Sequence, residues 1–288
     1  MEVDVLCAEY LEEEEISMAM FEINGVNIFY EDLGNKESEY CVVFFNGAMS
    51  TTSSWGLLYP VFERMGWRVV LHDYKGQLKS DKPAGPYTFK EHADEAKALL
   101  EHLGVKQVHL IGTSYGGRVA MEFALLYPEM SQSMSIINSF SESDSYVDTL
   151  VAGWDKTRVV GNGENFFWSV VPIFYGKTFI EKNQADCQKR AEALDAADAE
   201  FFVGQKAIYD TFSADIYMTD RLHGIKCPTL VVVGEEDLLT PMKFSEIIVQ
   251  NIPNTEFITV PDCGHVTIAE KPKELESIVL GFVMKQTF

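Results

Sequence analysis

Three residues far apart in the chain, Ser114, Asp237 and His265, have the types that acyl transfer requires. A serine hydroxyl is a weak nucleophile until a base takes its proton, and the base needs a third group to orient it. Ser114 lies in Gly112-x-Ser114-x-Gly116. An apolar run, Val108 to Ile111, precedes this motif, and a stretch with helical spacing, Arg118 to Leu126, follows it. The pattern reads as a buried strand, a sharp turn and a helix. Flanking glycines let strand and helix pass close together, while Ser114 is lifted off the end of the sheet. The start of the following helix directs free N–H groups and a partial positive charge at whatever binds there.

The elements that must position these residues follow from the pattern of apolar runs. Phe21 to Glu31 reads as a hairpin turning at Asn24-Gly25. Buried strands are predicted at Cys41–Phe45, Arg68–Asp73, Val108–Ile111, Met134–Asn138, Thr229–Val233 and Thr255–Val260. Helices are predicted between them, at Trp55–Met65, Phe89–Leu103, Met242–Val249 and, closing the chain, Lys273–Lys285. Such alternation implies parallel βαβ units in an α/β fold. In a parallel sheet the C-terminal ends of all strands share one edge. Asp237 follows the strand at 229–233 and His265 follows the strand at 255–260, so both are expected on the edge that carries Ser114.

Competitors weigh less. Glu235 and Glu236 flank Asp237 and read as solvated, and Asp262 is too close to His265 in sequence to face its far ring nitrogen. His72 and His109 fall within strands, His92 and His102 on an amphipathic helix, and His223 near the end of a helical stretch. Acyl transfer also needs donors for the developing oxyanion. The N–H of Tyr115 is one candidate. A second is expected from Asn46-Gly47-Ala48-Met49, after the strand at 41–45. Ala48 is the favoured donor, Met49 is one residue off and remains open, and the Asn46 side chain is suited to bracing the loop.

From Ser141 to Leu222 the strand pattern stops. This region reads as a helical insertion, with a strong helix over Gln188–Phe202. Its aromatic residues Phe166, Phe167, Trp168, Phe174 and Tyr175 either line a substrate pocket, with Trp168 the chosen contact, or are plain core. Arg118 either binds a substrate carboxylate or pairs with a nearby acid. The chain thus divides into an acidic extension at 1–19, a core at 20–140 and 223–288, and the insertion at 141–222.

Composition sets the outer limits. A net charge of −21 argues against nucleic acid and anionic membrane surfaces as partners. The first 19 residues carry seven acids and no base, unlike the basic start of a signal peptide. No apolar run approaches the roughly 20 residues of a membrane span. A cytoplasmic location is therefore expected. The charge identifies no substrate; a small-molecule substrate is what the candidate triad and the resemblance below imply, and oligomeric state is left open. The five cysteines are scattered and form no C-x-x-C pair, so reduced thiols are expected and no metal is called for.

Taken together, these blocks resemble the α/β-hydrolase fold superfamily. The resemblance covers about residues 21–288. It rests on Phe45-Asn46-Gly47, Asp73-Tyr74-Lys75-Gly76 through Ser80-Asp81-Lys82-Pro83, Gly112 to Gly117, Gly234 to Pro241 and Gly264-His265. It implies a mostly parallel, doubly wound sheet, the order Ser114, Asp237, His265 as a catalytic triad, and residues 141–222 as a helical lid. Many members carry His-Gly where this chain has Asn46-Gly47, and Arg and a second Gly where it has Lys75 and Leu78. Relatives that cleave carbon–halogen bonds or epoxides carry Asp where this chain has Ser114. The stretch Gly112 to Ala120 is similar to that of 3-oxoadipate enol-lactonases. The resemblance therefore implies a serine hydrolase of small carboxylic esters or lactones, with no cofactor. Its alternatives are a carbon–carbon bond hydrolase on a meta-cleavage-type product and a small-molecule receptor of the same fold.

Overall fold

The computed structural model describes residues 19–160, 162–196 and 199–288. Apart from Ala19, the acidic stretch read over 1–19 lies outside the described residues, as does Cys7. The chain opens with the hairpin β1 (Ala19–Ile23) and β2 (Val26–Gly34). Asn24 and Gly25 both take positive φ, which a two-residue turn between twisted strands requires. The parallel strands follow: β3 (Cys41–Phe45), β4 (Arg68–His72), β5 (Val108–Thr113), β6 (Ser131–Ile137), β7 (Thr229–Gly234) and β8 (Thr255–Val260). The sheet order is β1-β2-β4-β3-β5-β6-β7-β8. β1, β2 and β4 pair antiparallel, and every pair from β4–β3 through β7–β8 is parallel. β5, which leads into Ser114, is central.

Helices cover both faces. α1 (Pro60–Arg64) and α11 (Pro272–Thr287) lie on one; α2 (Phe89–His102), α3 (Tyr115–Leu126) and α9 (Met242–Asn251) lie on the other. Alternation along β3 sorts the core: Val43 and Phe45 face the α2–α3 side, and Val42 and Phe44 face the α1–α11 side. All four are at most 1% exposed. Each such side chain contributes about 1.5–3 kcal/mol by burial, which holds the strand ends in register beneath the site.

One predicted helix is shorter than its spacing suggested. Residues 52–55 form a 3-10 turn, and α1 begins only at Pro60. Proline has no N–H to donate within a helix, so it sits at the first helical position instead. Among the described residues, α4 (Ser145–Val160), α5 (Gly163–Phe174), α6 (Lys177–Lys182), α7 (Gln184–Asp195) and α8 (Ala199–Asp215) follow β6 with no strand before β7. The single helix read over 188–202 is thus parts of α7 and α8. A short α10 (Thr267–Glu270) follows β8. Among the described residues no helix is long and apolar enough to cross a membrane.

Candidate active site

Ser114 occupies φ 52°, ψ −119°, a strained conformation for a residue with a side chain. Its neighbours explain why the chain tolerates it. A Cβ on Gly112 would lie 2.5 Å from the Gly116 carbonyl oxygen, and one on Gly116 would lie 2.0 Å from that of Phe45. Only glycine permits this approach of α3 to β3 and β5. The turn is also tied down. The Ser114 N–H donates to the Ile137 carbonyl at 2.9 Å, and the Ser139 hydroxyl donates to the Ser114 carbonyl at 2.7 Å.

The edge rule brings Ser114, His265 and Asp237 together. His265 Nε2 is 2.9 Å from Ser114 Oγ, and Nδ1 is 2.9 Å from Asp237 Oδ2. An ionised carboxylate only accepts, so Nδ1 carries the proton and Nε2 presents its lone pair to the serine. Asp237 also accepts from the Leu239 and Thr240 N–H groups at Oδ1, and from Asn138 Nδ2 and the Thr240 hydroxyl at Oδ2. Burial pushes its carboxyl upward. The facing imidazole and the Thr240 bonds outweigh burial and hold it below the ordinary aspartate value. Asp237 and His265 are buried, and Ser114 is half-buried.

The loop after β3 lies against this group: a Cβ on Gly47 would be 3.8 Å from Ser114 Cβ. Asn46 braces it. Its Nδ2 donates to His72 O, Asp73 Oδ1 and Gln77 Oε1, and its Oδ1 accepts from Trp55 Nε1. The Gly47 carbonyl accepts from Gln77 Nε2 at 2.8 Å and from the Ser50 N–H at 3.1 Å. The Ala48 carbonyl accepts from Gln205 Nε2 at 3.0 Å. A peptide is planar, so these bonds also fix the planes carrying the Ala48 and Met49 N–H groups. Tyr115 is fully buried; its hydroxyl is 2.9 Å from His92 Nε2, which fixes the residue after Ser114.

For Arg118 the structure favours the second of its two readings, the pair with a nearby acid. The arginine is 1% exposed, its Nη1 pairs with Glu122 at 2.8 Å, and Nε and Nη2 donate to the Ile216 and Asp215 carbonyls. Its position in the first turn of α3 points it under the end of α8 rather than into the site. Trp168 is half-buried, meets Phe167 edge-on and packs on the core. The aromatic of α5 that reaches the site is Phe174. Its ring lies 5.7 Å from the His265 ring, and its carbonyl accepts the His265 N–H at 2.8 Å.

Sequence reading missed Asn138, Thr240, Gln77 and Gln205. Asn138 has a positive φ of 48° at the end of β6, which puts it on the same edge. Applying the edge rule to every strand would have found it. Thr240 closes an Asp237-x-x-Thr240 turn, a spacing that suits an aspartate accepting from backbone ahead of it. Gln77 and Gln205 act across the fold and carry no local signal.

Known proteins with this architecture put the geometry in context. The family model described as the alpha/beta hydrolase fold matches residues 40–272. MGS-M2, an alpha/beta hydrolase enzyme from a Medee basin deep-sea metagenome library, is 29% identical with a TM-score of 0.88, covering 92% of this chain and 97% of that one. The 2-hydroxy-6-oxononadienedioate/2-hydroxy-6-oxononatrienedioate hydrolase of Paraburkholderia phymatum is 27% identical over 90% of this chain and 91% of its own. Est816, an N-acyl homoserine lactone degrading enzyme, is 26% identical with a TM-score of 0.76, covering 92% of this chain and 100% of that one. With its sheet order, its strained Ser114 turn and a family match that spans most of its length, this chain belongs to the α/β-hydrolase fold family.

Proposed function

We propose that this protein is a serine hydrolase that cleaves a small carboxylic ester or lactone through an acyl-enzyme on Ser114. The observation that carries the reading is the unbroken chain from Ser114 Oγ to His265 Nε2, and from His265 Nδ1 to Asp237 Oδ2, each link 2.9 Å. Ser114 Oγ attacks the carbonyl carbon while His265 Nε2 takes its proton. The Asp237 carboxylate holds the ring in the required tautomer and stabilises the imidazolium. The N–H groups of Ala48 and Tyr115 hold the oxyanion. His265 then gives its proton to the leaving alkoxide, the carbonyl re-forms, and the bond to the leaving group breaks. Water, deprotonated by His265, attacks the acyl carbon and releases the acid from Ser114. In a lactone the acid and the alcohol stay in one product. The helices between β6 and β7 act as the lid that selects the substrate. The resemblance of Gly112 to Ala120 to enol-lactonases, and a 26%-identical lactone-degrading protein, favour this substrate class.

A second reading is carbon–carbon bond hydrolysis by the same three residues. It is favoured by the relative of Paraburkholderia phymatum, which aligns over nearly all of this chain. Labelling with a fluorophosphonate probe tests both at once. Wild-type protein is expected to label, and Ser114→Ala and His265→Ala are expected not to. A folded wild type that does not label rejects serine catalysis. Turnover of simple esters and lactones by a labelled protein selects the first reading. Turnover only of a vinylogous 1,5-diketone selects the second.

A further inference from the structure

Five backbone N–H groups take part in joining the α5–α6 junction to the loops that carry His265 and Asp237. The His265 and Val266 N–H groups both donate to the Phe174 carbonyl, at 2.8 and 3.2 Å. The Gly176 and Gly264 N–H groups converge on one oxygen, Glu270 Oε2, at 3.0 and 2.9 Å. Lys177, at the start of α6, donates its N–H to Glu236 at 2.8 Å. The two glycines are forced by the same contact. A Cβ on Gly264 would lie 2.3 Å from the Gly176 nitrogen, and one on Gly176 would lie 2.9 Å from the Gly264 nitrogen. Glu270 Oε1 completes the group by accepting from the Val266 N–H at 3.3 Å.

We infer that Glu270 is a positioning residue for His265, a carboxylate clamp that ties the helical segment to the residues on either side of the imidazole. The inference rests on the reading of His265 as the base for Ser114. Gly264 and Val266 flank His265, so the clamp sets the backbone from which the ring projects. Through Gly176 the same oxygen reaches the other side of the junction, two residues beyond the Phe174 ring that faces the imidazole. An acid is suited to this place because three backbone donors converge there, and a carboxylate offers acceptors without donating. Half-buried, Glu270 has its carboxyl pushed upward by burial, which its three backbone bonds and the His265 charge only partly offset. One consequence follows for access. A substrate gate in the helical segment does not open at residues 174–177, because lifting this junction would also move His265.

The test compares Glu270→Gln, Glu270→Asp and Glu270→Ala. Glutamine keeps one oxygen for Gly176 and Gly264 and replaces the long bond from Val266 by an NH2 facing that N–H, which a small shift of the amide relieves. Aspartate keeps the charge but is one methylene short. The readouts are the fluorophosphonate labelling rate, kcat and KM separately, and melting temperature, all in full-length protein well below its melting point. Gln is expected within about threefold of wild type, because a single long bond is lost. Asp and Ala are expected to lower kcat and the labelling rate about 10- to 100-fold with KM little changed, the cost of a base displaced by less than an ångström or so. The low-field proton signal of His265 Nδ1–H should persist in the Gln variant and broaden in the other two. Asp and Ala variants that lose melting temperature but label at the wild-type rate would show a purely structural glutamate and overturn the inference. If Ala does not fold, the Gln–Asp pair decides alone. A wild type that never labels overturns the serine reading underneath, a failure distinguishable from equal labelling of all variants.

Discussion

Two buried aspartates stand on the same edge of the sheet. Asp73 follows β4, and Asp237 follows β7. Both are at most 4% exposed. Asp73 accepts from the Thr52 and Lys79 N–H groups, the Thr51 hydroxyl and Asn46 Nδ2. Asp237 accepts from two N–H groups, a hydroxyl, an amide and the His265 ring. The donor sets are nearly matched, but the carboxyls shift in opposite directions. Burial pushes Asp73 above the ordinary 3.8, and neither its hydrogen-bond donors nor the weaker pull of the Lys79 charge brings it back. Asp237 falls below that value although burial pushes it up as well. The difference is the imidazole, which becomes a cation when it takes a proton. A chargeable ring bonded directly to the carboxylate outweighs its burial, whereas backbone and side-chain donors with a weaker cation do not. On the proposed serine mechanism that difference is what separates a base-orienting aspartate from a brace.

The comparison breaks if both aspartates matter equally to turnover. Asp237→Asn is expected to lower kcat by roughly 10³–10⁴, because an amide facing Nδ1 permits the wrong tautomer. Asp73→Asn leaves the imidazole untouched. It is expected to lower kcat by about tenfold or less, acting through the Asn46–Gly47 loop that Asp73 helps hold, and to lower melting temperature clearly. Steady-state kinetics on one ester substrate, with melting curves beside them, rank the two. A kcat loss at Asp73 matching that at Asp237 would assign Asp73 to the chemistry.

Stability against pH sharpens the same contrast. Asp237 titrates lower in the folded protein than in the unfolded chain. Its contribution is complete above 3.8 and is lost as pH falls through the folded value. Asp73 titrates higher when folded, so its ionisation opposes folding, increasingly so as pH rises from 3.8 through the folded value. From neutral pH down to about 4 the melting-temperature gap between wild type and variant should widen for Asp73→Asn and hold for Asp237→Asn, and below 3.8 it should narrow for Asp237→Asn. Thermal scans of the three proteins check the two signs, and gaps that move together would refute the assignment.

Strand ends were the legible part of this molecule. Apolar runs bounded by glycine located the parallel strands, and the shared edge brought Ser114, Asp237 and His265 within hydrogen-bond reach of one another. The rule fell short where partners come from distant elements. Nothing near Arg118 in sequence indicates that the Asp215 and Ile216 carbonyls lie over it. Gln205 bonds the Ala48 carbonyl across 157 positions, and no periodicity encodes that. Glu270 looks like a surface acid on a four-residue helix, and only the close approach of Gly176 to Gly264 gives it a task. Local spacing reports the scaffold, while the choice among chemically similar residues on the scaffold depends on packing across it.

The finest comparison removes one hydroxyl from each aspartate. Thr240 Oγ1 donates to Asp237 Oδ2 at 2.7 Å and lies 3.2 Å from His265 Nδ1. Thr51 Oγ1 spans both oxygens of Asp73, at 3.0 and 3.1 Å. Valine matches threonine in shape and deletes only the hydroxyl, so each variant costs its aspartate one donor, about 1 kcal/mol of net bonding. If donors alone governed function, the two would behave alike. Thr240→Val instead loosens a carboxylate that orients the base and raises its basicity, so Nδ1–H is held less firmly and the imidazolium is less well stabilised. A kcat loss of about three- to tenfold with KM unchanged is expected, because the bond matters more once His265 is charged than before. Thr51→Val weakens a brace that Thr52, Lys79 and Asn46 still hold, and kcat should stay within about twofold while stability falls by a similar amount in both variants. Equal stability losses with unequal kcat losses locate the difference at the imidazole. Equal kcat losses would mean that the Gly47–Ala48 loop is as sensitive to its support as the base is, and would move the weight of the mechanism toward the oxyanion site.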